Sequence, residues 1–131
     1  MDLLERYIKE LTEDLKIDEM NIKDVQMRLP SRKHFWAARL INHRISLEKQ
    51  KNERDKLRRE LISKVADNAP IKLSQSSIEK TVDASDDLGE VRLGIREHEL
   101  IIELLEKAEK NFSSLTYDIK NIIELMKLEQ L

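Results

Sequence analysis

Apolar residues recur at heptad spacing over five heptads in the last third of this chain, and no other feature constrains the fold as strongly. Steps of three and four residues keep such a series on one face of an α-helix. The pattern is weakened only at Gly94 and His98. With two glycines and two prolines in 131 residues, little else ends a helix. We therefore predict an all-α fold of long helices with coiled-coil-like packing. The series comprises Val91, Gly94, His98, Ile101, Leu105, Ala108, Phe112, Leu115, Ile119, Ile122 and Met126.

Composition divides the chain into four segments. An acidic helical segment is followed by a long basic helix, a polar connector and the C-terminal heptad helix region. The predicted bounds of these segments are residues 1–30, 31–66, 67–77 and 78–131. The first segment is predicted to contain an amphipathic helix, because apolar residues recur there at helical spacing, at Leu4, Ile8, Leu11 and Leu15.

Proline and capping residues predict where these helices begin and end. A helix is expected to end near Pro30, because proline disfavours the helical conformation in the residue before it. Ser31 would then be the N-cap of the long basic helix. Ser76 and Glu79 have the spacing of a capping box, which predicts the start of the next helix. Residues 83–89 are rich in aspartate and end in glycine, so that helix is a candidate for interruption there.

A second heptad series, in the long basic helix, is apolar at its ends and polar in its middle. His43, Gln50 and Arg54 stand where a coiled coil favours leucine or isoleucine. The middle of this helix is therefore predicted to be less buried and to face a partner or water. Trp36 is predicted to lie in the core, with stacking on a nucleic-acid base as the alternative. The series comprises Trp36, Leu40, His43, Leu47, Gln50, Arg54, Leu57 and Leu61.

Positive charge is concentrated in residues 31–64, whereas the rest of the chain is acidic. This basic island holds eleven Lys and Arg against four acids, a balance of +7. The residues before it carry −3 and those after it −6, which gives the formal total of −2. A local positive field attracts a polyanion even when the whole chain is slightly negative. A nucleic-acid backbone is therefore the first candidate partner.

Helical geometry selects the residues of the island that would contact nucleic acid. At about 100° per residue, five of the basic residues fall within about 80° of one another, which makes a strip suited to phosphates. The five residues of this strip are Lys33, Arg44, Lys51, Arg54 and Arg58. Together with the neighbouring Lys56 and Arg59, they are the predicted nucleic-acid-binding residues. In the alternative, i,i+4 pairs such as Lys56 with Glu60 merely stabilise a solvated helix. The chain would then be a coiled-coil scaffold or adaptor that does not bind DNA.

The heptad face of the C-terminal region is broad, since Ile102, Leu104 and Tyr117 widen it. One partner helix cannot cover such a face, and the half-polar basic helix offers little apolar surface. Self-association into a homo-oligomer through this region is therefore predicted. The predicted oligomerisation residues are Ile101, Leu105, Ala108, Phe112, Leu115, Ile119, Ile122 and Met126.

Catalytic and cofactor sites have little support in the sequence. Cysteine is absent, two glycines are too few for a phosphate-binding loop, and His34, His43 and His98 are too far apart for a local metal set. Neither a secretory signal nor a long apolar run is evident. We therefore expect a soluble, cytoplasmic protein that is not an enzyme and has no cofactor, metal site or membrane partner.

In these features the chain resembles the UvsY recombination mediators of T-even-type and related phages. The similarity rests on the acidic helix of residues 10–18, on Trp36 and Asn42-His43 in the long helix, and on a late Ile119-Lys120 before an apolar stripe. It also rests on the order of the segments and on the basic run of residues 56–61. The family's basic motif is similar to LKARL, and the same stretch here reads LRREL. The resemblance thus makes Arg58 the leading basic residue, while the second basic position falls on Glu60, next to Arg59.

The resemblance implies a non-enzymatic accessory factor. Such proteins bind single-stranded DNA (ssDNA), assemble into closed homo-oligomeric rings, help to displace the single-strand binding protein and load a strand-exchange recombinase. A phage recombinase and a single-strand binding protein are thus implied as partners, and the host cell cytoplasm as the location. Affinity for a polyanion and self-association also follow from the residues alone.

Overall fold

The structure, a computed structural model, describes residues 2–130. These residues form four α-helices with short connections between them, and no strand. The prediction of an all-α fold is confirmed. None of these helices has both the length and the apolar character that crossing a membrane requires, within the residues described. The helices are α1 (Asp2–Leu15), α2 (Ile22–Asn68), α3 (Gln75–Asp83) and α4 (Asp86–Glu129).

The turn between α1 and α2 is held by its own side chains. Asp18 Oδ1 accepts hydrogen bonds from the backbone N–H groups of Met20 and Asn21, at 2.8 and 2.9 Å. Asn21 Oδ1 in turn accepts from the backbone N–H of Asp18 at 2.8 Å. Oxygens of Asp and Asn side chains satisfy the free N–H groups at a helix start in this way. Helix α2 accordingly begins at Ile22.

Helix α2 continues through Pro30, so the predicted helix end near Pro30 and the predicted N-cap at Ser31 are wrong. A proline inside a helix removes one backbone hydrogen bond and costs about 3 kcal/mol. The Ser31 hydroxyl donates to the Arg28 carbonyl oxygen at 3.0 Å. Packing outweighs the cost, because buried residues recur at helical spacing on both sides of the proline, at Ile22, Val25, Leu29, Trp36 and Leu40.

Ser74 is the N-cap of α3, so the capping box predicted from Ser76 and Glu79 is wrong. The Ser74 backbone is extended, with φ −68° and ψ 153°. Its hydroxyl oxygen accepts from the backbone N–H of Ser77 at 3.2 Å. The run of serines offers several possible caps, and the residue with non-helical backbone geometry takes the role.

The sequence left open whether the helix is interrupted within residues 83–89; it is, at Ala84 and Ser85. Gly89 lies inside α4, where its N–H donates to the Ser85 carbonyl oxygen at 3.1 Å. Asp86 and Asp87 occupy the first turn of α4. Negative charge is favourable at a helix N-terminus, so these two aspartates stabilise the start of α4.

The described residues form two compact units. Those up to Asn42 and from Leu100 onward belong to the first unit, and His43–Glu99 form the second. The core of the second unit contains Ile78, Val82 and Leu88, which are buried. Half-buried residues of α2 and of the connector pack against this core, namely Leu57, Leu61, Ile62, Val65 and Leu73.

The first unit covers the part of the C-terminal heptad series from Ile101 onward with the chain's own helices. Leu105 and Phe112 are each 2% exposed, and they line a groove of about 330 Å³ together with Trp36 and Leu40. Helix α1 contributes Leu11, which is 4% exposed. The argument that a single chain has too little apolar surface to cover this face is therefore wrong. The reason is that α2 begins eight residues before Pro30, and this extra length adds the buried residues Ile22, Val25 and Leu29.

Most of the predicted oligomerisation residues are consequently part of the fold of one chain. Ile122 and Met126 are half-buried. The large apolar side chains that α4 exposes near its C-terminal end are Tyr117 (71% exposed), Leu125 (60%) and Leu128 (64%). The six predicted residues that are buried are Ile101, Leu105, Ala108, Phe112, Leu115 and Ile119.

Candidate nucleic-acid interface

The basic residues predicted to contact nucleic acid do not form one exposed strip. Arg54 and Arg58 are half-buried, because each lies three residues before a leucine that packs on the core of the second unit, and residues three apart share a helix face. Lys51 is half-buried as well. Lys33 belongs to the first unit, where it lines the groove beside Trp36. The predicted residues that are exposed are Lys33, Arg44, Lys56 and Arg59.

Three exposed cations of α2 form what we call the outer strip: Lys49, Lys56 and Arg59. They fall within about 80° of one another at 100° per residue. In the described part of the chain, no carboxylate lies within 4.0 Å of any of the three. The i,i+4 pairs of the solvated-helix alternative, such as Lys56 with Glu60, are therefore not formed there. The outer strip leaves its charges available to an external anion.

Arg58 is held by a carboxylate from another helix. Its Nε donates to Asp83 Oδ1 at 3.0 Å, and Arg92 Nη2 donates to the same oxygen at 3.1 Å. Arg92 Nη1 also donates to the Asp83 carbonyl oxygen at 3.0 Å. We call these three residues the Asp83 clasp. It joins α2, the last residue of α3 and the second turn of α4.

Hydrogen bonding in the Asp83 clasp shifts the pKa of Arg58 and of Asp83. The hydrogen bond to Asp83 raises the pKa of Arg58 above its usual value. The hydrogen bond from Arg58, with a further contribution from Arg92, lowers the pKa of the Asp83 carboxyl below its usual value. Arg58 and Asp83 are therefore both charged near neutral pH.

Sequence reasoning did not identify Arg92 as part of a basic site. A weak signal was present, because Asp83 is an acid at the C-terminal end of a helix, where the helix dipole disfavours negative charge. Such a residue needs a nearby cation. The sequence does not indicate that two arginines from different helices would supply it.

Two further arginines of the basic island bind acids of α1. Arg32 pairs with Asp14 at 2.6 Å and with Glu10 at 3.2 Å, and Arg39 pairs with Glu10 at 2.8 Å. Arg39 also lies over the ring of Phe35, 3.9 Å from its centroid. The charge of these arginines holds α1 against α2, so it is not a free positive field.

Trp36 lies in the core of the first unit, as predicted. Its side chain is 3% exposed, and its Nε1 donates to Asp14 Oδ2 at 2.7 Å. The ring of Tyr7 meets it edge-on at a centroid distance of 5.5 Å. A ring enclosed in this way does not stack on a base.

His43, from the heptad series of the basic helix, contacts His98, from the C-terminal heptad series, in the second unit. His43 Nδ1 and His98 Nε2 are 2.7 Å apart, so one nitrogen donates and the other accepts. Burial lowers the pKa of His98 below its usual value. Across residues 2–130, no group of three or more His, Cys, Asp or Glu side chains is arranged to hold a metal ion. The pair therefore has a structural explanation as a half-buried polar contact between α2 and α4.

A family model described as recombination, repair and ssDNA binding protein UvsY matches residues 10–130. The matched residues include all of α2, α3 and α4. The chain belongs to the UvsY family. Members of this family are thus described by ssDNA binding, recombination and repair, which agrees with the polyanion affinity inferred from the basic island.

The fold is similar to that of a UvsY protein of known structure. The crystal structure of the bacteriophage T4 recombination mediator protein UvsY matches with a TM-score of 0.81 and 14% sequence identity. The match covers 96% of this chain and 98% of that chain. At this identity the similarity concerns the fold. No curated protein matches the sequence.

The basic run of residues 57–61 is divided between two environments. Arg58 is 35% exposed in its side chain and belongs to the Asp83 clasp. Arg59 is exposed and belongs to the outer strip. Glu60, where the resemblance implies a second basic residue, is exposed as well. Arg59 is therefore the arginine of this run that no carboxylate of the described residues holds in an ion pair.

Proposed function

We propose that this protein is a recombination mediator that binds ssDNA through the outer strip and helps to load a strand-exchange recombinase onto DNA covered by single-strand binding protein. The observation that carries the proposal is the outer strip, whose three exposed cations have no carboxylate within 4.0 Å in the described residues. Family membership supports the ssDNA part. The protein would act as a binding factor in the host cell cytoplasm.

The chemistry of the outer strip favours binding that does not depend on base sequence. Lys and Arg contacts to phosphate position a nucleic acid but carry no direct sequence information. Trp36 is buried, so its large ring is not available for base stacking. A mediator must act on whatever strand is exposed, and backbone contacts alone suit that task.

We further propose that the protein works as a closed homo-oligomer, in which α2 binds DNA and the C-terminal end of α4 contacts the next copy. One outer strip offers few phosphate contacts, whereas several strips on one particle bind the same strand multivalently. The exposed Tyr117, Leu125 and Leu128 fall within about 80° of one another on α4. They form an apolar face that a second copy would cover. This face lies on the side of α4 opposite its buried heptad residues.

Light scattering tests the proposed oligomer contact. Replacing Leu125→Glu and Leu128→Glu together is expected to lower the particle mass, because charge is costly in a covered apolar face. Replacing Thr116→Glu and Lys127→Glu, two exposed polar residues on another face of the same helix, is the matched control and should leave the mass unchanged. An unchanged mass in the leucine variant would place the contact elsewhere.

A strand-exchange assay tests the proposed mediator activity. A recombinase is given ssDNA already covered by single-strand binding protein, with or without this protein. We expect the protein to shorten the lag before strand exchange, and a variant with Lys56→Ala and Arg59→Ala to lose this effect. If the protein binds ssDNA but leaves the lag unchanged, the mediator part of the proposal is wrong.

A further inference from the structure

We propose that Arg58 and Arg92 form a phosphate-binding fork and that Asp83 is an internal competitor for it. In the free protein the Asp83 carboxylate occupies the fork, and a phosphate of the bound DNA strand takes its place. This inference rests on the proposed ssDNA binding and deepens it. It adds Arg92 to the DNA-contacting residues and gives the half-buried Arg58 a role in binding.

The geometry of the Asp83 clasp resembles an anion site. Guanidinium groups from α2 and α4 reach one oxygen, Asp83 Oδ1, at 3.0 and 3.1 Å. Arg58 Nη2 also approaches the second carboxylate oxygen at 3.5 Å. A guanidinium group binds a carboxylate or a phosphate with the same planar pair of donors. A phosphodiester, with two free oxygens and one negative charge, therefore fits the fork that the carboxylate now fills.

Exchange of the carboxylate for a phosphate costs little. The side chains of Arg58, Asp83 and Arg92 are 35%, 41% and 45% exposed, so solvent and an external ligand reach all three. Ion pairs at such exposed positions stabilise a protein only weakly. Arg59 of the outer strip is the neighbour of Arg58 in the chain, about 100° away around α2. A strand held at Arg59 therefore brings further phosphates close to the fork.

The end of α3 does not depend on the Asp83 carboxylate. Arg92 Nη1 donates to the backbone carbonyl oxygen of Asp83, and the Ala84 N–H donates to the Lys80 carbonyl oxygen at 3.1 Å. These backbone contacts persist when the carboxylate rotates away. The helix dipole also disfavours an acid at this position. The Asp83 carboxylate can thus leave the fork while the backbone contacts that join α3 to α4 are kept.

A purely structural clasp and an internal competitor predict opposite effects of Asp83→Asn. If the carboxylate only ties the helices together, its loss weakens the fold and lowers ssDNA affinity. If the carboxylate competes with phosphate, its loss raises affinity, by about fivefold for a competing ion pair at the strong end of the exposed range. Asp86→Asn, three residues away and outside the clasp, removes the same charge and serves as the matched control.

The experiment is a fluorescence anisotropy titration of the full-length protein with an unstructured oligothymidine at several salt concentrations. We expect Asp83→Asn to bind more tightly than both the wild type and Asp86→Asn. Equal or weaker binding by Asp83→Asn overturns the inference. Thermal unfolding of each variant verifies that the fold is kept.

A second pair of variants decides the matter if Asp83→Asn does not fold. Arg92→Gln keeps an amide donor for the Asp83 carbonyl oxygen but removes the charge. Its log–log salt slope should become shallower by about 0.7, the value for one phosphate of a single strand. Arg92→Lys should keep the wild-type slope. A wild-type slope in Arg92→Gln also overturns the inference.

The titrations separate this inference from the proposed function. If Lys56→Ala with Arg59→Ala binds as tightly as the wild type, binding through the outer strip is wrong. If that variant binds weakly but Asp83→Asn shows no gain, the outer strip stands and the phosphate-binding fork is wrong.

Discussion

Leu105→Ala should destabilise the chain strongly and without any dependence on self-association. Leu105 is 2% exposed within a single chain and lines the groove that Trp36 and Leu40 also line. Removing a buried leucine side chain costs 2–5 kcal/mol, from lost transfer free energy and from the cavity that remains, so we expect about 3 kcal/mol. For a chain of this size, about 4 °C per kcal/mol predicts a decrease in Tm of roughly 12 °C.

Differential scanning calorimetry at two protein concentrations measures this effect, with light scattering on the same samples. The decrease in Tm relative to wild type should be the same at both concentrations, and the particle mass should not change. Leu93→Ala is the control, since Leu93 is 60% exposed, lies outside the proposed oligomer contact, and its loss should change the stability of the chain only slightly. A variant that loses mass but unfolds like the wild type would refute the assignment of Leu105 to the core of one chain.

Three further predictions concern particular contacts. Pro30→Ala should stabilise the protein by up to about 3 kcal/mol in urea unfolding, because it restores a backbone donor inside α2; no gain would indicate that the helix is broken at residue 30. Trp36→Phe should lower the free energy of unfolding by about 2 kcal/mol, because the hydrogen bond to Asp14 is lost. In the wild-type protein, ssDNA should leave the fluorescence of Trp36 unchanged, and strong quenching would contradict its burial. Because burial lowers the pKa of His98, the unfolded state binds more protons below pH 6.5, so stability should fall between pH 7 and pH 5. His98→Gln should make that decrease shallower, and an identical pH profile would argue against the assignment.

The helical content and the buried heptad residues of α4 could be predicted from the sequence, because both depend on local periodicity. Leu105, Phe112 and Ile119 recur at a spacing that only a helix places on one face, and all three are buried. Trp36 could be placed in the core for the same reason. What covers the buried heptad residues of α4 could not be predicted, because the chain's own α1 and α2 and a second copy satisfy the same pattern.

The course of α2 through Pro30 could not be predicted from local rules. Proline disfavours helix in the residue before it, but the buried Leu29 and Trp36 on either side make a continuous helix the better solution. Tertiary packing is the competing term, and it is invisible in a local window. A boundary that depends on burial elsewhere in the fold requires the structure.

The division of the basic island was also beyond the sequence. Arg39 and Arg58 look equivalent as charges, yet Arg39 pairs with Glu10, 29 residues before it, and Arg58 with Asp83, 25 residues after it. Such pairs are set by which helices meet. The sequence thus predicts where positive charge lies along the chain, and the structure distinguishes the charges that hold helices together from those that face outward.

The salt dependence of ssDNA binding tests the central claim most directly. Wild type, a variant with Lys56→Ala and Arg59→Ala, and a control with Lys110→Ala and Lys120→Ala on α4 are titrated with the same unstructured oligonucleotide. The outer-strip variant should bind more weakly, with a log–log salt slope shallower by about 1.4 for two lost phosphate contacts at about 0.7 each, and its particle mass and the control's affinity should not change. An outer-strip variant with the affinity and salt slope of the wild type would contradict the account.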